Sequence, residues 1–477
     1  MRIGHTAAVV FVSKLFGSAL GFVSTLYFAR VLGAEILGYF SVAIALVSWL
    51  KLGGSMGISA AMTKRISERV DQGAFLTSGL LLILGTSLVF ALFIVAFGNR
   101  IDSYVGYDAS LYILLIFLSG VLLTVVSSVL KGENRVHIAG VLTPLNVGIS
   151  SFAQLILVSL GMELTGLFIG YLIGEVALVL LGTALVTIGV TVPKRRHFRS
   201  LLDYARYAWM SGLKSQSFND VDTLVLGALV NPSLVGIYSV AWSISQFLSL
   251  FGRSIRSALF PEISQAEAQQ NDEQISRLTK NSLAYIGLIA IPGFFGSLVL
   301  GDRLMRIYGP EFEQGSLILS LLVLAVLIYS YQQQLTGILN GIDRPDVTFR
   351  VNVAFIVTNL VLNIVLVMWR GWIGAAIASV ISTVIGAVIA FWMLRRLVDF
   401  DVPVREIGQQ FGSAVFMAII IESLRRFLEG VDLGLGNFGT VLLLVSVGAG
   451  LYFSTLLAIS PNFRKTVWNN LPDAVPL

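Results

Sequence analysis

Four cations stand inside apolar runs of this 477-residue chain: Lys14, Lys51, Lys214 and Arg253. Few acids stand as deep, namely Asp220, Asp222 and Glu175, with Glu422 beside Arg425 and Arg426 where a local helix-end pair is expected. An ionisable group in hydrocarbon is costly, so each is a candidate for function before structure. A cationic excess suits an anionic ligand such as a phosphate, a pyrophosphate or an acidic sugar. The four cations are therefore assigned to substrate binding. Asp222, Asp220 and Glu175 are assigned to coupling or gating. Plainer roles stay open. Any of the four cations reaches headgroups by snorkelling, Lys51 and Arg253 most readily because they stand near span ends. Asp222 serves a cation as structural partner as readily as it holds H+ or Na+.

The cations lie on polar stripes. Ser41, Ser48, Lys51 and Ser55 fall close to one helical face, as do Ser239, Ser243, Gln246, Ser249 and Arg253. Lys14 shares a stripe with Gly17, Ser18, Gly21 and Thr25. Close helix packing explains the small residues there but not the lysine. The run holding Lys214 is the most polar, with Ser211, Ser215, Gln216, Ser217, Asn219, Asp220 and Asp222. Such a helix lines water or is shielded by neighbours.

Composition says what must position these residues. The chain is 56% hydrophobic and 12% charged, with a mean hydropathy of +0.85. Soluble domains carry about 25% charge, so an ordinary soluble enzyme is excluded. There is no cysteine, and His5, His137 and His197 are far apart. That leaves no thiolate chemistry and no histidine metal site. No phosphate-binding glycine loop, paired loop carboxylates or histidine triad is present.

Fourteen apolar segments are each long enough to cross a bilayer as a helix. They run 7–28, 36–58, 75–97, 110–130, 138–160, 164–188 and 207–230, then 234–255, 282–300, 316–339, 351–369, 373–394, 407–424 and 438–458. The first reads as a mature helix, not a cleavable leader. The longest linker-like stretches are 193–206 and 261–281. The first is basic and reads as a positive-inside loop, with an anionic-lipid contact as the minor alternative. Of 32 Lys and Arg residues, 21 fall in loops on the side of the termini and 7 on the other side. Both termini are thus expected in the cytoplasm, with the protein in the plasma (inner) membrane.

The halves repeat. Gly38-Tyr39-Phe40-Ser41-Val42-Ala43 returns as Gly236-Ile237-Tyr238-Ser239-Val240-Ala241, and Leu130 to Arg135 returns as Leu339-Asn340-Gly341-Ile342-Asp343-Arg344. Both six-helix units begin on the same side, so the repeat is parallel. The expected fold is an all-α multi-pass membrane protein of about 14 transmembrane helices, with two pseudo-symmetric six-helix bundles and two extra C-terminal helices. The expected divisions are 1–195, 196–400 and 401–477. Two facing bundles are an alternating-access layout.

The stretch Ala29-Arg30-Val31-Leu32-Gly33-Ala34-Glu35-Ile36-Leu37-Gly38-Tyr39-Phe40 resembles the signature after the first span of the polysaccharide transporter family. That family holds the O-antigen and lipid-linked oligosaccharide flippases of the multidrug/oligosaccharidyl-lipid/polysaccharide superfamily. Asp222-Thr223-Leu224-Val225-Leu226-Gly227, the Gly236–Ala241 motif and the loop from Leu339 to Arg344 also resemble it. The resemblance implies a V-shaped helical fold. It implies a transporter, not an enzyme, that carries polyprenyl-(pyro)phosphate-linked oligosaccharide to the outer leaflet. Expected partners are that substrate, membrane lipids and glycan polymerase or glycosyltransferase machinery, with no nucleic acid and a monomeric protein. No cofactor is expected beyond a coupling ion, H+ or Na+. Ser13-Lys14 and Ser24 depart from the paired arginines of peptidoglycan-precursor flippases, which lowers that cargo. A cation-coupled multidrug antiporter is the other alternative. Fourteen spans and the cationic excess argue against it. A membrane glycosyltransferase needs a larger outer loop than 98–109 or 301–315.

Overall fold

The computed structural model describes residues 3–430 and 436–470, without the side chains of residues before Gly17 and of a few others, Tyr207, Met210 and Ser211 among them. The described helices run α1 (Ile3–Ser55), α2 (Ile58–Ser67), α3 (Gln72–Ala96), α4 (Gly98–Val105), α5 (Ser110–Gly132), α6 (Val136–Ser159), α7 (Glu163–Leu185) and α8 (Arg195–Leu229). They continue as α9 (Pro232–Ala268), α10 (Asp272–Tyr285), α11 (Ala290–Arg306), α12 (Ser316–Gly341), α13 (Pro345–Arg370), α14 (Trp372–Arg395), α15 (Val404–Gly430), α16 (Asn437–Ile459) and α17 (Pro461–Asn470). No strand occurs among the described residues. Lipid offers no backbone partners, so helices that satisfy their own N–H and C=O groups are the solution for such a chain.

Eleven helical segments among the described residues are long and apolar enough to cross a membrane. The other three expected crossings lie in the first part of α1, in α8 and in α15. The 53 residues of α1 would measure about 80 Å as one rod, far beyond a bilayer core. Gly33 interrupts it at φ 79°, ψ 176°. A side chain would resist that backbone, and glycine does not.

Two stretches expected as linkers are largely helical. α8 starts at Arg195, and α9 continues to Ala268 before α10 starts at Asp272. Helices that leave the hydrocarbon lose their apolar signature but keep their hydrogen bonds, so hydropathy ends them early.

The chain forms two compact units. One holds residues 1–240 and 363–375, the other 241–362 and 376–477. Within the first unit the repeated motif packs on itself. A Cβ on Gly38 would collide with the Pro232 carbonyl, and one on Gly236 with the Ala34 carbonyl. Each glycine thus lies against the residue four places before its counterpart, a reciprocal contact open only to small residues. The other motif shows the same turn twice. Asn134 and Asp343 have φ of 63° and 56°. Arg135 N–H reaches the Leu130 carbonyl at 2.9 Å, as Arg344 N–H reaches that of Leu339 at 2.9 Å.

The second unit holds α15 and α16 against α11. Leu288, Ile291 and Leu300 share a buried cluster with Ala414, Met417 and Leu444. Arg425 pairs with Asp302 at 2.9 Å and with Glu429 at 3.1 Å, while Arg426 takes Glu422 at 2.7 Å. Gln410 donates to the Ala284 carbonyl at 2.6 Å.

The segment 186–194 has no helix but is tied to the first unit. Glu133 accepts from Thr187 N–H at 2.8 Å and Ile188 N–H at 3.0 Å. Asp71 accepts from Arg196 at 2.7 Å and meets His197 Nε2 at 3.2 Å. The hydrogen bond with His197, then the Arg196 charge, hold the Asp71 carboxyl below the usual carboxylate range. A depressed pKa of this kind stabilises above the ordinary value, and the gain is lost as pH falls through the lowered one. Asp71→Asn at pH 7 is therefore expected to speed amide exchange in 186–197, and wild type is expected to match it only in acid. Equal exchange in both proteins at pH 7 would contradict this.

Candidate functional site

In the first unit, α1 and α7 bring Lys51 to Glu175, 2.8 Å apart. The other Glu175 oxygen accepts from Ser119 of α5 at 2.7 Å. Glu175 is 1% exposed and the Lys51 side chain 22%. The lysine stem lies along Gly120. Two residues given separate roles by sequence thus form one pair. Its carboxylate is wholly enclosed, while the lysine side chain is partly exposed.

Asp220 and Asp222 sit on α8, whose far end is pinned by Tyr104 donating to the Leu224 carbonyl at 2.6 Å. Asp222 is buried and accepts from the Tyr238 hydroxyl of α9. It also accepts from Asn363 Nδ2 of α13 at 2.8 Å. Asp220 accepts from Gln216, one turn earlier. Lys214 is buried on the same helix. Lys14 lies in α1, but its side chain is outside the described residues.

The second unit carries a different arrangement. Arg253 of α9 donates to Gln246 at 2.5 Å, and Ser249 donates to the same oxygen at 3.2 Å. One turn on, Arg256 donates to Gln333 of α12 at 2.5 Å. Both guanidinium groups meet neutral amides. Neither forms an ion pair among the described residues, whereas Lys51 has Glu175. A guanidinium held by an amide oxygen stays charged and keeps donors for an anion.

Sequence reasoning missed Arg256, Tyr238, Asn363 and Gln333. Arg256 lay one residue beyond the expected span end. The other three carry no charge at ordinary pH and so escaped a search for charges. The run Gln332-Gln333-Gln334 inside an apolar helix was the available signal.

Helices of this length, with charges paired or amide-held inside them, define a multi-pass membrane protein. The chain belongs to the polysaccharide biosynthesis protein family, which residues 3–267 match. Residues 210–365 also match the MatE family. Over 99% of its own length and 99% of the relative's, the chain is 32% identical to the probable flippase AglR of Haloferax volcanii. It is 29% identical to the probable low-salt glycan biosynthesis flippase Agl15 of the same organism, over 100% of both chains. Among solved structures, the lipid II flippase MurJ in an inward closed conformation superposes with a TM-score of 0.80 at 17% identity, covering 96% of this chain and 100% of that one. That likeness is one of fold.

Proposed function

We propose that this protein is a flippase. It moves polyprenyl-(pyro)phosphate-linked oligosaccharide from the cytoplasmic to the outer leaflet by alternating access, for surface polysaccharide or glycoprotein assembly. The observation that carries the reading is the full-length similarity to AglR, a probable flippase. The chemistry agrees with it. Arg253 and Arg256 offer guanidinium donors to a diphosphate or acidic sugar. Lys51 and Lys214, with Lys14, add positive charge to the path.

The rest of the reading belongs to the same proposal. The chain crosses the plasma (inner) membrane fourteen times, with both termini cytoplasmic. The lobes are 1–195 and 196–400, followed by two added helices in 401–477. The recurring turns at Asn134 and Asp343 support the duplication. H+ or Na+ coupling runs through Asp222, a buried acid given donors by Tyr238 and Asn363. Asp220 and Glu175 assist in gating. The protein works as a monomer beside glycosyltransferases or a glycan polymerase.

Deleting the gene tests the reading. Mass spectrometry is expected to show less surface glycan and accumulated polyprenyl-linked oligosaccharide. Unchanged glycan together with new sensitivity to cationic drugs would transfer the assignment to a multidrug antiporter, the reading that the MatE match favours.

A further inference from the structure

The start of α8 carries a surface outside the residues described above as the candidate site. Its 35 residues reach about 52 Å at 1.5 Å per residue, against a bilayer core of about 30 Å. The apolar run begins only at Tyr207, and His197 rests against Phe75 at the start of the α3 apolar segment, so residues 195–206 lie at the rim of the hydrocarbon.

This part is two-faced. His197, Leu201 and Ala205 are buried in the first unit. Arg195, Arg199, Leu202, Arg206 and Trp209 recur at helical spacing and are all exposed. The preceding segment, tied down by Glu133, leaves Val190 71% and Val192 90% exposed. Val190 and Val192 stand a few residues before Arg195, so apolar and cationic side chains share this exposed stretch.

The charges are also misplaced for the helix alone. A helix N-terminus disfavours cations, yet α8 has no acid in its first turn and opens Lys194-Arg195-Arg196. Arg196 is answered by Asp71. Among the described residues Arg199 forms one ion pair, with Asp203 at 3.9 Å, and its own side chain is 85% exposed. Arg195 forms no ion pair among the described residues. Arg195 and Arg199 therefore keep guanidinium donors open to their surroundings.

We propose that this face is a binding site for anionic phospholipid headgroups. Arg195 and Arg199 receive the phosphate, Val190 and Val192 enter the acyl boundary, and Trp209 sits in the interfacial belt. Because 186–194 joins the two repeated halves, a lipid held there also fixes that connection. The inference stands apart from the identity of the cargo.

The test uses the full chain in uncharged detergent, titrated with phosphatidylglycerol or phosphatidylcholine and read by native mass spectrometry. Wild type is expected to retain phosphatidylglycerol preferentially. Arg195→Gln/Arg199→Gln is expected to weaken retention by about fivefold per arginine, roughly 25-fold together. Raising salt should weaken it in wild type. Val190→Ser/Val192→Ser changes only exposed side chains, and it should lower retention severalfold even if the arginine variant folds poorly. Equal retention of the two lipids by wild type would overturn the site, as would undiminished retention in both variants. Displacement of the lipid by millimolar inorganic phosphate alone would overturn the lipid as its occupant.

Discussion

Lys51→Met is expected to destabilise the protein by about 3–5 kcal/mol, the usual cost of stranding one member of a buried pair. The reason is Glu175, 1% exposed and left with Ser119 as its remaining partner. A carboxylate enclosed by helices cannot recover its hydration, so the loss falls on the folded state. The double variant Lys51→Met/Glu175→Met should regain most of the stability, because replacing both charges by apolar groups of similar size is often neutral. Thermal melting in detergent reads the effect. A single variant that melts like wild type would show that the pair is not enclosed as described. Recovery in the double variant separates a structural role from a transport role, since its export can then be measured in a folded protein.

Arg253→Gln/Arg256→Gln is expected to leave melting nearly unchanged and to cut glycan export severely. Each arginine is held by a glutamine oxygen and answers no acid among the described residues. Removing these charges therefore strands no carboxylate. A charge-assisted hydrogen bond contributes about 1.5–3 kcal/mol, which is a loss of roughly tenfold to hundredfold for each arginine. Lysine at either position keeps the charge but loses the planar fork, so partial export is expected. Cell-surface glycan and the lipid-linked pool, measured together, check this. Normal export from the double variant would remove both arginines from the substrate path.

Much of the architecture was legible in the residues. The fourteen apolar segments fall mostly on helix, because hydrocarbon leaves a long apolar chain few other options, although 164–188 outruns α7 and 282–300 spans the break between α10 and α11. Two matched motifs were legible too. Gly38 and Gly236 matched in sequence, and the structure sets each against the other copy's motif. Helix ends were less legible. α8 and α9 run on as polar helices where hydropathy had already fallen, which hid Arg256 and turned 195–206 into an apparent loop. Pairing was hidden altogether. Lys51 and Glu175 lie 124 residues apart, and nothing local in either segment marks the other. Tyr238 and Asn363 around Asp222 show the same limit, since neutral donors leave no charge pattern to find.

The most direct measurement places the purified protein in vesicles with a polyprenyl-diphosphate oligosaccharide confined to one leaflet. An added glycosidase then reports how much sugar has reached the other leaflet. Protein-dependent appearance of the sugar is expected, lost in Arg253→Gln/Arg256→Gln and retained in Arg195→Gln/Arg199→Gln. Sugar that stays in its original leaflet in the presence of folded wild-type protein, while a cationic dye is carried across, would contradict it.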